Sequence, residues 1–254
     1  MAFNISRTWS QCVFVLWVTF CLIPFSHAED PQPYVIGASV SMGFNLFGRG
    51  HSPSVYTLQK MGYAKQHIIK KTVITGSFRR KYEWLKKSLS EHPASIILAI
   101  DVFHHDLREK TSVPDDTYSY IENFLETLHH TGVPVIVGSV WTRYNNEATI
   151  DEFNIYLREK VALYDNIYLL PVGQILDGLT KKDRQYSYDV DGVSLSLNKK
   201  VGRKLLVDIV HPNNRGARLM SNLIIRILNE DAGMPTPYYE VNDIVELVEN
   251  MSAK

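Results

Sequence analysis

Apolar residues along the chain fall into short, regularly spaced runs with amphipathic stretches between them. The runs Tyr34 to Ala38, Ile68 to Thr75, Ser95 to Ile100, Pro134 to Val140 and Ile167 to Pro171 read as five strands. Runs of this kind suit strands buried on both faces. Helical periodicity fills the gaps, at about residues 54–65, 79–91, 115–130, 150–163 and 214–229. In the helix near residue 120, Tyr118, Ile121, Phe124, Leu125 and Leu128 share one face. The alternation predicts an α/β fold, a three-layer α/β/α sandwich around a mostly parallel five-stranded sheet.

Two stretches depart from the alternation. Tyr186 to Leu206 contains Asp189-Val190-Asp191-Gly192 and then alternating Val193, Leu195 and Leu197, which predicts a small hairpin or strand excursion. After Asn229, Gly233-Met234-Pro235 precedes an amphipathic Val241 to Val248, a loop and a short terminal helix. No internal repeat, low-complexity tract or Gly/Ser linker interrupts the pattern, so residues 29–254 read as one domain.

The first residues read as a targeting segment. Arg7 supplies a basic start, an apolar stretch runs from Cys12 to Phe25, and Ser26-His27-Ala28 offers small residues for a signal peptidase. Residues 1–28 are therefore expected to be a signal peptide cleaved after Ala28, with an uncleaved anchor as the alternative. The stretch falls short of the ~20 apolar residues that a membrane span needs. The mature chain is expected to carry no integral membrane segment. Bulky Phe20 before Cys21 argues against a lipoprotein signal.

Both cysteines, Cys12 and Cys21, lie in this segment, and a domain of this length buries enough surface to do without disulfides. A cysteine-free exported domain suits a bacterial periplasm or exterior. Lys plus Arg and Asp plus Glu each number 27, so bulk charge points to neither nucleic acid nor an acidic membrane surface. Basic clusters at Lys70-Lys71, Arg79-Arg80-Lys81, Lys86-Lys87 and Lys199 to Lys204 read as solvated faces, without the aromatic interleaving that nucleic acid would require.

The candidate chemistry lies near the C-terminus, in Val207-Asp208-Ile209-Val210-His211-Pro212-Asn213. An Asp and a His three residues apart can turn toward each other, the carboxylate holding one ring nitrogen and leaving the other free as a base. The alternative is that the pair caps a helix. A nucleophile is available at the end of the first strand, in Gly37-Ala38-Ser39-Val40-Ser41-Met42-Gly43. Small residues there permit a sharp turn that lifts Ser39 above the sheet edge, where active sites of open parallel sheets gather. Its backbone N–H would then serve as an oxyanion donor.

Gly-x-Ser after the first strand with Asp-x-x-His before the last helix resembles the SGNH (GDSL-type) hydrolase superfamily. The likeness spans most of the mature chain. It implies Ser39 as nucleophile, His211 as general base and Asp208 as its orienting partner, with Asn213 and Gly216 completing the family's last block. The second block, a strand-ending glycine whose N–H joins the oxyanion hole, is matched by Gly76. The third block, Gly-x-Asn-Asp, is not kept. In Ile100-Asp101-Val102-Phe103-His104-His105-Asp106 the best alignment puts Asp101 at the glycine and Phe103 at the asparagine. Phenylalanine cannot donate a hydrogen bond, so His104 or His105 stands as the candidate replacement donor. In the first block Ala38 replaces the usual aspartate, which removes a polar tie across the loops.

The resemblance implies a serine esterase acting on a small or polymer-borne ester, such as acetylated carbohydrate, a lipid ester or a thioester, without a cofactor. The same residues leave two alternatives. One is a binding protein that kept the fold and lost catalysis, motivated by Phe103 and Ala38. The other is a metal site from Asp101, His104, His105 and Asp106 with Asp208 and His211. Pocket walls would come from loops after Gly43, Asp106 and Arg143.

Overall fold

Each central strand has apolar side chains on both of its faces, so the sheet must be covered twice. The computed structural model describes residues 30–43, 50–72, 78–107, 112–113, 115–142 and 147–252. The expected targeting segment, Gly76 and parts of the loops after Gly43, Asp106 and Arg143 lie outside them. In chain order the elements are β1 (Gln32–Gly37), α1 (Ser39–Met42), α2 (Pro53–Lys60), β2 (Ile69–Thr72), α3 (Phe78–Glu91), β3 (Ala94–Ala99), α4 (His104–Leu107), α5 (Asp115–His129), β4 (Val135–Gly138), α6 (Glu147–Val161), β5 (Ile167–Leu170), α7 (Val172–Thr180), β6 (Gln185–Val190), β7 (Val193–Asn198), α8 (Lys199–Leu205), α9 (Asn214–Glu230) and α10 (Asn242–Ser252).

Strands β1 to β5 form one sheet in the order β2-β1-β3-β4-β5, and every neighbouring pair is parallel. Successive residues of one strand serve opposite layers. Val35, Leu98 and Ile136 join one core with Leu58 of α2, Leu176 of α7 and Leu223 of α9. Tyr34, Ile97 and Val135 join the other with Leu85 of α3, Phe124 of α5 and Phe153 of α6. This is the three-layer sandwich the pattern predicts. The sheet grows in both directions from β1, so the crevice between β1 and β3 at their C-terminal ends is the switch point where such folds bind ligands.

The excursion from residue 186 is a hairpin, as expected. Strands β6 and β7 pair antiparallel through Asp191-Gly192. Both turn residues have positive φ, 52° and 73°, the backbone of a tight hairpin turn that glycine adopts freely. The second half of the excursion differs from the strand reading. Asn198 accepts hydrogen bonds from the Lys200 and Val201 amides and starts α8, a helix too short to show a period. Helix α7 is also missed by the strand–helix alternation: it is nine residues long, mostly buried, and follows β5 directly after Pro171. Among the described residues no helix is long and apolar enough to cross a membrane.

A buried carboxylate ties the segment after β4 to α7. Asp177 accepts both Thr142 Oγ1 contacts, at 3.0 and 2.9 Å, and pairs with Lys181 and Arg184 at 3.4 and 3.3 Å. Removing Asp177 leaves Lys181 and Arg184 with Glu147 alone and the Thr142 hydroxyl without this acceptor. Asp177→Ala should therefore cost about 1–2 kcal/mol, read from the denaturant midpoint.

Candidate active site

The turn after β1 is shaped from below. The chain leaves the strand at Ala38, and Ser39 opens the single turn of α1. Asp101, just past β3 and 2 % exposed, inserts its carboxylate under this turn. Oδ1 accepts the Ala38 amide at 2.8 Å, and Oδ2 accepts the amides of Val40 and Ser41 at 2.9 and 3.3 Å. The Ser41 hydroxyl donates to the same carboxylate. Glycine is required at position 37 for this reason. A Cβ there would lie 2.1 Å from Asp101 Oδ1, and φ is +153°. Gly37→Ala should displace the carboxylate and cost about 2 kcal/mol, measurable as a lowered thermal midpoint.

The Asp-x-x-His loop is closed at its base. Leu206 and Pro212 form an isolated antiparallel bridge, and the Val207 amide donates to the His211 carbonyl at 2.8 Å. Inside it, Asp208 Oδ1 accepts the amides of Val210 and His211 at 2.9 and 3.0 Å, a local turn typical of aspartate. The helix-capping alternative is not what the pair does. Asn213 is the N-cap of α9, its side chain accepting the Gly216 amide at 3.1 Å.

Asp208 Oδ2 lies 2.7 Å from His211 Nδ1, and His211 Nε2 lies 2.7 Å from Ser39 Oγ. A carboxylate only accepts, so Nδ1 carries the ring proton and Nε2 presents a lone pair to the serine hydroxyl. Burial works to raise the Asp208 carboxyl. The Val210 and His211 amides and the His211 ring together outweigh it, and its pKa falls below the usual value. The pair thus retains its negative charge beside the imidazole.

A third segment spans the two loops. The His51 amide donates to the Pro212 carbonyl at 2.9 Å, and the Ser52 hydroxyl donates to the Ser41 carbonyl. One dipeptide is therefore bonded to the residue after His211 and to the second residue after Ser39.

Phe103, aligned with the family's asparagine, turns away into the core. Its ring packs edge-on to Phe124 and Phe153 at 5.8 and 5.7 Å. His104 is buried and stacked on Trp141, ring centroids 3.6 Å apart, with His105 edge-on to it. Gly76 lies outside the described residues. From sequence, Asp101 has an alignment position and a place in the metal alternative, and Ser41, His51 and Ser52 have no role. The available signal was an aspartate directly after an unbroken apolar strand. Among the described residues no three His, Cys, Asp or Glu side chains are grouped to hold a metal ion.

No family model and no curated protein matches the chain by sequence. Solved structures do match. The psychrotrophic esterase EstA from Pseudoalteromonas sp., inhibited by monoethylphosphonate in its crystal, aligns with a TM-score of 0.55 at 12 % identity, covering 80 % of this chain and 100 % of that one. A candidate lipolytic protein of the G-D-S-L family from Desulfitobacterium hafniense gives 0.55 at 18 % identity, covering 78 % and 100 %. TesA gives 0.51 at 19 % identity, covering 77 % and 97 %. The five parallel strands in the order β2-β1-β3-β4-β5, helix-covered on both faces, are thus the α/β fold of the GDSL-type (SGNH) hydrolases.

Proposed function

We propose that the chain is a divergent SGNH-type serine hydrolase of carboxylic esters, exported through its N-terminal segment. The observation that carries this reading is the line Ser39–His211–Asp208, with both links at 2.7 Å, at the switch point of the sheet. Ser39 Oγ attacks the ester carbonyl while His211 Nε2 takes its proton, and Asp208 stabilises the resulting imidazolium. The amides of Ser39 and Gly76 hold the oxyanion, with His104 the candidate for a third donor. His211 returns the proton to the departing alkoxide, and the acyl group stays on Ser39. Water, deprotonated by His211, then releases the acid.

Acetylated carbohydrate, lipid esters and thioesters are the substrate classes proposed. Ile209, 59 % exposed between Asp208 and Val210, adds an apolar surface beside the base and favours a substrate with apolar character there. The test is a fluorophosphonate probe, with the adduct mapped by peptide mass, together with hydrolysis of short p-nitrophenyl esters. Labelling is expected at Ser39 and should vanish in His211→Ala, and a chelator should leave the rate unchanged. Phe103 in the core motivates a second reading, a binding protein without turnover. Intact Ser39 that never labels would select it.

A further inference from the structure

We infer that Asp101 is a positioning residue for the nucleophile turn, and that its carboxylate sets the direction of the Ser39 N–H. This role rests on the esterase reading and adds to it a residue that family alignment assigns to a glycine. Four donors converge on one buried side chain: the amides of Ala38, Val40 and Ser41 and the Ser41 hydroxyl. The amides on both sides of Ser39 are held, and the Ser39 amide is not among the donors. The held amides belong to the 37–38 and 39–40 peptide planes, and this restricts the plane between them, which carries the Ser39 N–H. Here that N–H is left to an incoming oxyanion, beside Oγ in its 2.7 Å bond to His211.

A carboxylate is the one side chain suited to this place. Donors approach both of its oxygens, and an amide would turn an N–H₂ toward one set of them. Ala38, at the position of the family's aspartate, has no polar group to offer. The tie between the first and third loops is therefore made from β3, over a sequence separation of 63 residues.

Two measurements test this in Asp101→Asn and in Ser41→Ala, which removes one donor and keeps three. The first is amide hydrogen exchange resolved at residues 38 to 41, which needs no turnover. In the unaltered protein Ala38, Val40 and Ser41 should exchange slowly and Ser39 fast, and Asp101→Asn should release whichever set its NH₂ faces, Ala38 or the Val40 and Ser41 pair. The second is ester kinetics. Asp101→Asn should lower kcat about 10- to 100-fold with KM within about twofold, and Ser41→Ala should give a smaller loss of the same kind. A Ser39 amide as protected as its neighbours overturns the inference. So does a lowered thermal midpoint with kcat unchanged, which would make Asp101 a structural anchor only. If Asp101→Asn does not fold, Ser41→Ala decides alone, by a kcat loss with KM held or by none. Unaltered protein that shows the exchange pattern but neither labels nor turns over removes the esterase reading and leaves the clamp standing.

Discussion

Ser39→Ala should abolish ester turnover to within background, a loss of about 10⁵- to 10⁶-fold in kcat. The hydroxyl is the only group removed, and it links α1 to the base loop, with Oγ 2.7 Å from His211 Nε2. Ser41 is fully buried, and its hydroxyl is committed to Asp101. Stability should change little, because Ser39 is partly exposed and gives up one hydrogen bond, worth about 1 kcal/mol. The check is kcat for a short p-nitrophenyl ester beside the thermal midpoint. Residual activity above a hundredth of the original would remove Ser39 as nucleophile.

Asp208→Asn should lower kcat by about 10⁴-fold while keeping the fold. The size follows from how the two carboxylate oxygens divide their work. Oδ1 serves the Val210 and His211 amides and lies 2.9 Å from His211 Nδ1, and Oδ2 makes the shorter contact with Nδ1 at 2.7 Å. In an asparagine the single oxygen would stay with the two backbone amides, and the NH₂ would point at Nδ1. That donor, at the shorter of the two contacts, favours Nδ1 as acceptor, which moves the ring proton to Nε2 facing Ser39 Oγ, where no lone pair is left to take its proton. The measurement is kcat together with the nitrogen chemical shifts of His211, which report the tautomer. Turnover within tenfold of the original, with the Nε2–H form present, would contradict it.

The strands were legible because burial on both faces writes an uninterrupted apolar run, and β3 is fully buried from Ile96 through Ala99. The Asp208 and His211 relation was legible because it is local, and their meeting with Ser39 because both sit at places the topology brings together. The Asp101 clamp was not. It depends on the register of β1 beside β3, Val35 opposite Leu98, which sets Ala38 and Asp101 within reach and leaves no periodic trace. The same holds for His51 and Ser52, whose bonds run to Pro212 and Ser41 through backbone groups that every residue has. Phe103 illustrates the opposite error. Aligned with a donor, it takes part in an aromatic cluster that sequence position alone did not separate from the site.

The Ser39 to His211 contact spans 172 residues of chain. A growing or truncated polypeptide therefore carries an ordinary, unactivated serine until almost its last helix has been made. The base arrives together with the segment that closes the β1 side of the core, since Thr57 of α2 and Ser221 of α9 are bonded at 2.9 Å. On the esterase reading, phosphonate labelling during refolding would time the moment at which these two distant segments meet.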